Sequence, residues 1–219
     1  MEKRVSATPD GAVHVHSVQE EYFYLMVHPC ECGSAWRGDT QDTEASAGGL
    51  RHTLHARCVR CGGAQSFHFI LDASAESKPV LRQINPTPAP SRAIDAAEWM
   101  DLARFYLGRI PRLTKPLERA QSLLDARQCL EEALKFYGPG DADPPPSALW
   151  SKKSRKKVAQ QRDAFRRTSI AAMLDKIPPM DRLRQADKME QREFEKALTT
   201  LAKARVGRWW QFWKRWKRR

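Results

Sequence analysis

Two short cysteine pairs constrain what the first third of this chain can fold into. They read HPCECGSAW and RCVRCGG: Cys30-x-Cys32, 25 residues, then Cys58-x-x-Cys61, with glycine directly after each pair. Zinc takes four thiolate or imidazole ligands in a tetrahedron, and two tight turns that each present two sulfurs supply that set. The glycine after each pair suits the left-handed backbone such turns use. The spacing therefore predicts a structural Zn2+ site on Cys30, Cys32, Cys58 and Cys61. The first pair is CxC, tighter than the usual CxxC. That leaves open that one sulfur stays out of the site and that His28, His55 or His68 replaces it. Four cysteines close the coordination sphere, which points to scaffolding; a zinc enzyme would need an open position. A disulfide framework would need an exported chain, and a redox CxxC would need a strand-helix-strand context.

The residues around the pairs predict strands. VQEEYFYLMVHP is aromatic and β-branched, LRHTLHARC alternates roughly, and AQSFHFILD follows the second pair. GDTQDTEASAGG, from Gly38 to Gly49, reads as a polar loop between them. The expectation is an α+β chain. A flexible N-terminus covers residues 1–17, and a small antiparallel, zinc-ribbon-like β domain covers 18–72. A linker spans 73–90, where INPTPAPS carries three prolines.

Helical signals begin after that. Ser91 is a good N-cap, and Trp99, Leu102, Ala103, Tyr106 and Ile110 recur every three or four residues. A second helix is expected from about Pro116 to Tyr137, ended by Gly138 and Pro139. The two read as an antiparallel hairpin. Cys129 lies on the second as a small core side chain. A basic helix starts near Ser151 and continues through Phe165, Ile170, Leu174 and Ile177. This body spans 91–179, and a further basic helix with its tail fills 180–219.

Charge is unevenly placed. The formal net charge is +12, yet residues 151–219 carry 22 basic and 7 acidic side chains, so the whole excess sits in the last third. Such asymmetry points to an anionic partner for that third. No stretch approaches eighteen apolar residues, and the basic N-terminus has no apolar run behind it. The chain is expected to be cytoplasmic, peripheral at the inner face of the membrane.

The stretch from about Ile84 to Pro178 resembles a group of uncharacterised bacterial proteins. NPTPAPSRAIDAAEWMDLARFY, CLEEALKFYG and DPPPSALWSKKSRKKVAQQRDAFRRTSIAAMLDKIP carry the resemblance, over somewhat under half the chain. It implies a cysteine-paired, zinc-ribbon-like head on a helical body and a bacterial source. It implies no activity.

The end of the chain, RWWQFWKRWKRR, holds the sharpest binding signal. On a helix Trp209, Phe212, Trp213 and Trp216 form one aromatic stripe, with Lys214, Arg215, Lys217 and Arg218 around it and Trp210 off it. Arg208 and Arg219 complete the anionic-surface set. Indole rings favour the headgroup region and cations favour anionic lipid. The same side chains could instead neutralise phosphates and stack on unpaired bases. Lys152, Lys153, Arg155, Lys156 and Lys157 would extend that footprint. The tryptophans packing onto the body is the third reading. No phosphate loop, nucleophile elbow or HExxH is present. The sequence thus favours a non-enzymatic zinc-binding adaptor at an anionic membrane surface, with a protein partner for its head. A nucleic-acid-binding zinc-ribbon protein is the alternative, and a metalloenzyme with a Cys/His zinc site ranks third.

Overall fold

The computed structural model describes residues 11–46, 49–72, 84–140 and 142–179. They fall into two compact units, one ending at Ile84 and one starting at Asn85. The basic helix and tail expected over 180–219 lie outside the described residues.

The first unit is a four-stranded sheet with one helix. Its elements are β1 (Val13–Val15), α1 (Val18–Val27), β2 (Trp36–Ser46), β3 (Gly49–Cys58) and β4 (Ala64–Asp72). The strands lie in the order β1-β4-β3-β2. β2, β3 and β4 pair antiparallel, but β1 pairs parallel with β4, Val13 opposite Phe69 and Val15 opposite Leu71. The sheet is therefore mixed, which corrects the purely antiparallel expectation.

Three local expectations change with it. Residues 18–27 form a helix, not a strand. The Ser17 side chain accepts a hydrogen bond from the Glu20 backbone N–H, and Glu20 and Glu21 occupy the first turn, where the helix dipole favours acids. These end effects outweigh the strand preference of the aromatic residues. The polar stretch after Gly38 is mostly strand, not loop. It is held by cross-strand polar pairs and not by an apolar face: His55 Nε2 to Asp42 Oδ2 at 3.1 Å, Arg57 Nε to Asp39 Oδ2 at 3.3 Å. A register shift between Gly38 and Thr40 leaves Asp39 as the extra residue. Finally, the segment expected to be a flexible N-terminus supplies β1, whose Val15 is fully buried.

One sheet face is apolar. His52, Leu54, Ala56 and Cys58 alternate inward along β3, and Phe67, Phe69 and Leu71 do so along β4. Tyr24 of α1 meets Phe69 and Phe67 edge-on at 5.4 and 6.4 Å between ring centroids, and Trp36 meets Phe67 at 5.4 Å. The opposite face carries Thr53, His55, Ser66 and His68.

Two acids of α1 are buried. Glu20 Oε2 accepts from the His16 backbone N–H at 2.6 Å and lies 3.2 Å from the His16 ring. Glu21 Oε1 lies 2.7 Å from His52 Nδ1, which also faces Gln41 at 3.0 Å. Burial pushes the Glu21 carboxyl up, against the His52 hydrogen bond and charge, while the neighbouring Glu20 pushes it further. The hydrogen bond and charge of Glu21 push His52 up against the opposing effect of burial. Both values are raised, so the folded pair holds its proton to higher pH than the unfolded chain does. The imidazole's stabilisation is whole below its ordinary value of 6.5 and drains as pH climbs through the raised His52 value, and the raised Glu21 carboxyl adds a loss that begins above its ordinary 4.5. Thermal melts of the metal-loaded chain should therefore show the first unit losing stability from about pH 4.5 upward, and further from about pH 6.5. Glu21→Gln should flatten that slope, and an unchanged slope would remove the pair from the account.

The second unit is helical: α2 (Ala96–Arg109), α3 (Pro116–Leu134), α4 (Lys152–Gln160) and α5 (Arg167–Asp175). α2 starts at Asp95 rather than Ser91. Asp95 and Glu98 form a reciprocal capping box, whereas Ser91 caps only the preceding turn at Ala93 and Ile94. α2 and α3 pack as the expected hairpin, burying Trp99, Leu102, Ala103, Leu124, Leu130 and Ala133. Cys129 is fully buried among them. The expected linker is docked at its end: Asn85 donates to Glu132 at 3.2 Å, and Lys135 Nζ donates to Glu132 and to the carbonyls of Asn85 and Thr87. α4 begins at Ser151, as its capping residue predicts, but stops at Gln161. A short 3-10 turn then buries Phe165, whose carbonyl accepts from Tyr137 Oη, before α5 begins. Among the described residues no helix is long and apolar enough to cross a membrane.

Candidate metal centre

Two turns bring the cysteines together. α1 ends at Val27, and the chain reaches β2 through Cys30-Glu31-Cys32-Gly33. Cys30 N–H donates to Ser34 O at 2.9 Å and Gly33 N–H to Cys30 O at 2.7 Å. Trp36 Nε1 donates to His28 O at 2.9 Å and clamps the two ends of this loop. The second turn joins β3 to β4. Cys58 N–H donates to Gly63 O at 2.8 Å and Gly62 N–H to Cys58 O at 3.1 Å. Val59 N–H donates to Ala35 O at 3.0 Å, tying the second turn to the first. Each cysteine pair is followed by a glycine at positive φ, 75° at Gly33 and 72° at Gly62. A side chain there would meet open space but would strain the backbone, so glycine serves the turn itself.

The four sulfurs lie within 4.8 Å of one another. Cys30 and Cys61 are 3.6 Å apart and Cys32 and Cys58 are 3.4 Å apart. A zinc–sulfur bond of about 2.3 Å in a tetrahedron sets ligand edges of about 3.8 Å, so the cage fits that ion. A disulfide would need about 2.05 Å, and all five cysteines are free thiols. The arrangement could hold a metal ion such as zinc. The tight CxC turn contributes both of its sulfurs, and no histidine joins the group. His55 bonds Ser66 and Asp42, His68 bonds Thr53, and the His28 ring packs 4.3 Å from that of Tyr24.

The thiols are electrostatically unequal. Burial raises Cys58, but the backbone N–H groups of Cys61 and Arg60 and the thiols of Cys32 and Cys61 outweigh it and bring it down to about 6. Arg60 N–H lies 3.4 Å from its sulfur. At Cys30 the Cys32 backbone lowers the value, while desolvation and the thiols of Cys58, Cys61 and Cys32 push it up to about 12. The Cys58 thiolate thus forms readily at neutral pH, whereas the Cys30 proton is hard to remove without a cation.

The basic residues singled out in sequence are placed differently. Lys157 pairs with Asp101, and Arg155 donates to the carbonyls of Leu149 and Trp150, so both hold the body together. Lys152, Lys153 and Lys156 are exposed on α4. The tail residues 208–219 lie outside the described residues. Sequence reasoning missed the buried Glu21–His52 pair. The Ser17-x-x-Glu20 start of α1 was the one local signal that could have found it.

No protein-family model, curated protein or solved structure matches the chain. What the fold and site define is a mixed α/β chain with a four-cysteine cage that could hold a metal ion.

Proposed function

We propose that the chain is a non-enzymatic adaptor whose sheet domain is stabilised by zinc and whose tail holds it at an anionic membrane surface. The observation that carries the reading is the convergence of four sulfurs within 4.8 Å at a closed site. Zinc there cross-links the α1–β2 loop to the β3–β4 turn and supplies folding free energy. The tail is supported by sequence alone. Seven basic residues lie between Arg205 and Arg219, each contributing about 1 kcal/mol near an anionic leaflet. The aromatic stripe adds apolar insertion on one face.

Co-sedimentation with vesicles tests the tail. The full chain should pellet with anionic vesicles and not with zwitterionic ones, with a blue shift in tryptophan emission. Replacing Trp209, Trp213 and Trp216 with alanine should return it to the supernatant. Failure of the full chain to pellet, or equal pelleting of the variant, would overturn the membrane reading while leaving the metal site standing.

A further inference from the structure

The polar face of the sheet brings a serine, an imidazole and a carboxylate into line across three adjacent strands. Ser66 of β4 stands opposite His55 of β3, with Ser66 Oγ 2.9 Å from His55 Nδ1. At the other nitrogen of the same ring, His55 Nε2 lies 3.1 Å from Oδ2 of Asp42 on β2. A carboxylate only accepts hydrogen bonds, so in the neutral ring Nε2 carries the proton and Nδ1 keeps its lone pair. The Ser66 hydroxyl then donates to Nδ1, which leaves the oxygen's own lone pairs for an incoming electrophile. Ser66 is exposed, and β1 meets β4 only from Phe69 to Leu71, so among the described residues no strand flanks Ser66 on that side. The same face holds a built-in comparison. Thr53 Oγ1 lies 3.1 Å from His68 Nδ1, and among the described residues no carboxylate bonds the far nitrogen of that ring.

We propose that Ser66 is an acylation site, a nucleophile that takes the acyl group of an activated ester, with His55 as its base and Asp42 as the residue that positions the ring. Ser66 Oγ bonds to the acyl carbon as its proton passes to His55 Nδ1. The tetrahedral adduct then collapses. The bond from the acyl carbon to the leaving oxygen breaks, and that oxygen departs with the proton from His55, leaving an ester on Ser66. A hydroxyl beside an imidazole is by itself ordinary cross-strand support, as at Thr53 and His68. The third member distinguishes Ser66: Asp42, on the far nitrogen, fixes the tautomer that makes the hydroxyl the donor and the ring the base. The inference does not depend on the tail.

The test incubates the full zinc-loaded chain with p-nitrophenyl acetate and follows acetylation residue by residue by peptide mass spectrometry. Ser66 should acetylate roughly tenfold or more faster than Thr53 and the chain's other hydroxyls. His55→Gln should slow Ser66 by about 100-fold or more, since it removes the base and keeps a polar side chain of similar length. Asp42→Asn should slow it roughly tenfold or more, and Asp42→Glu, which keeps the acceptor, should recover most of that rate. Circular dichroism and zinc content check that each variant folds. A merely structural role for the three residues would lower the melting temperature and leave the Ser66 rate of the folded chain alone. Acetylation of Ser66 no faster than that of Thr53, or at the same rate in folded His55→Gln, would overturn the proposal.

Discussion

Stripping the metal should unfold the sheet domain and leave the helical body folded. A four-thiolate zinc site supplies on the order of 10–16 kcal/mol at neutral pH, comparable with the whole stability of an ordinary domain. Among the described residues the sheet unit has one helix, packed around Tyr24, Trp36, Phe67 and Phe69, and the metal's contribution is large for a unit of this size. The α2–α3 hairpin has a core of its own in Trp99, Met100, Leu130 and their neighbours. Chelation should therefore abolish the sheet's melting transition while the helical signal persists. Cys58→Ser should weaken metal binding by more than the 10–100-fold that loss of an outer partner costs, because Cys58 would be a direct ligand whose thiol ionises readily. Acidification should release the metal as protons compete for the thiolates.

Phe69→Ala should have the next largest effect and should reach the cage without touching it. Phe69 is fully buried under α1, against Tyr24. Removing such a ring costs about 3–5 kcal/mol. That is two to nearly four orders of magnitude in the folding equilibrium, at about 1.4 kcal/mol per decade. Since α1 delivers Cys30 and β3 delivers Cys58, metal binding and sheet folding are linked. Apparent zinc affinity, read by competition with a chromogenic chelator, should fall by a similar factor when the apo domain is unfolded. A lowered melting temperature with unchanged zinc affinity would show that the two turns hold metal without the sheet.

The cage was legible because its information is local. Each sulfur pair and its glycine sit within five residues, and spacing alone implies the turn. The α2–α3 hairpin was legible for the same reason, since its apolar residues recur at helical spacing. Other features depend on partners distant in sequence. β2 has no apolar period because its support comes from side chains on β3, such as Arg57 and His55. Glu21 looks like a solvated helix-start acid until His52, 31 residues on, is brought to it. The start of α1 was a contest between aromatic strand propensity and the Ser17 cap, and the cap prevailed once tertiary packing rewarded a helical face. Asn85 read as part of a proline-rich linker because Glu132 and Lys135, which anchor it, lie on the far helix.

The most direct measurement is the metal content of the purified chain, by native mass spectrometry, with thiol reactivity followed before and after chelation. One zinc per chain is expected, together with four thiols that react only once it is removed and a cobalt-substituted form with a tetrahedral tetrathiolate spectrum. A chain that binds no metal, with Cys30, Cys32, Cys58 and Cys61 freely reactive and the sheet domain equally stable in chelator, would contradict the account at its centre.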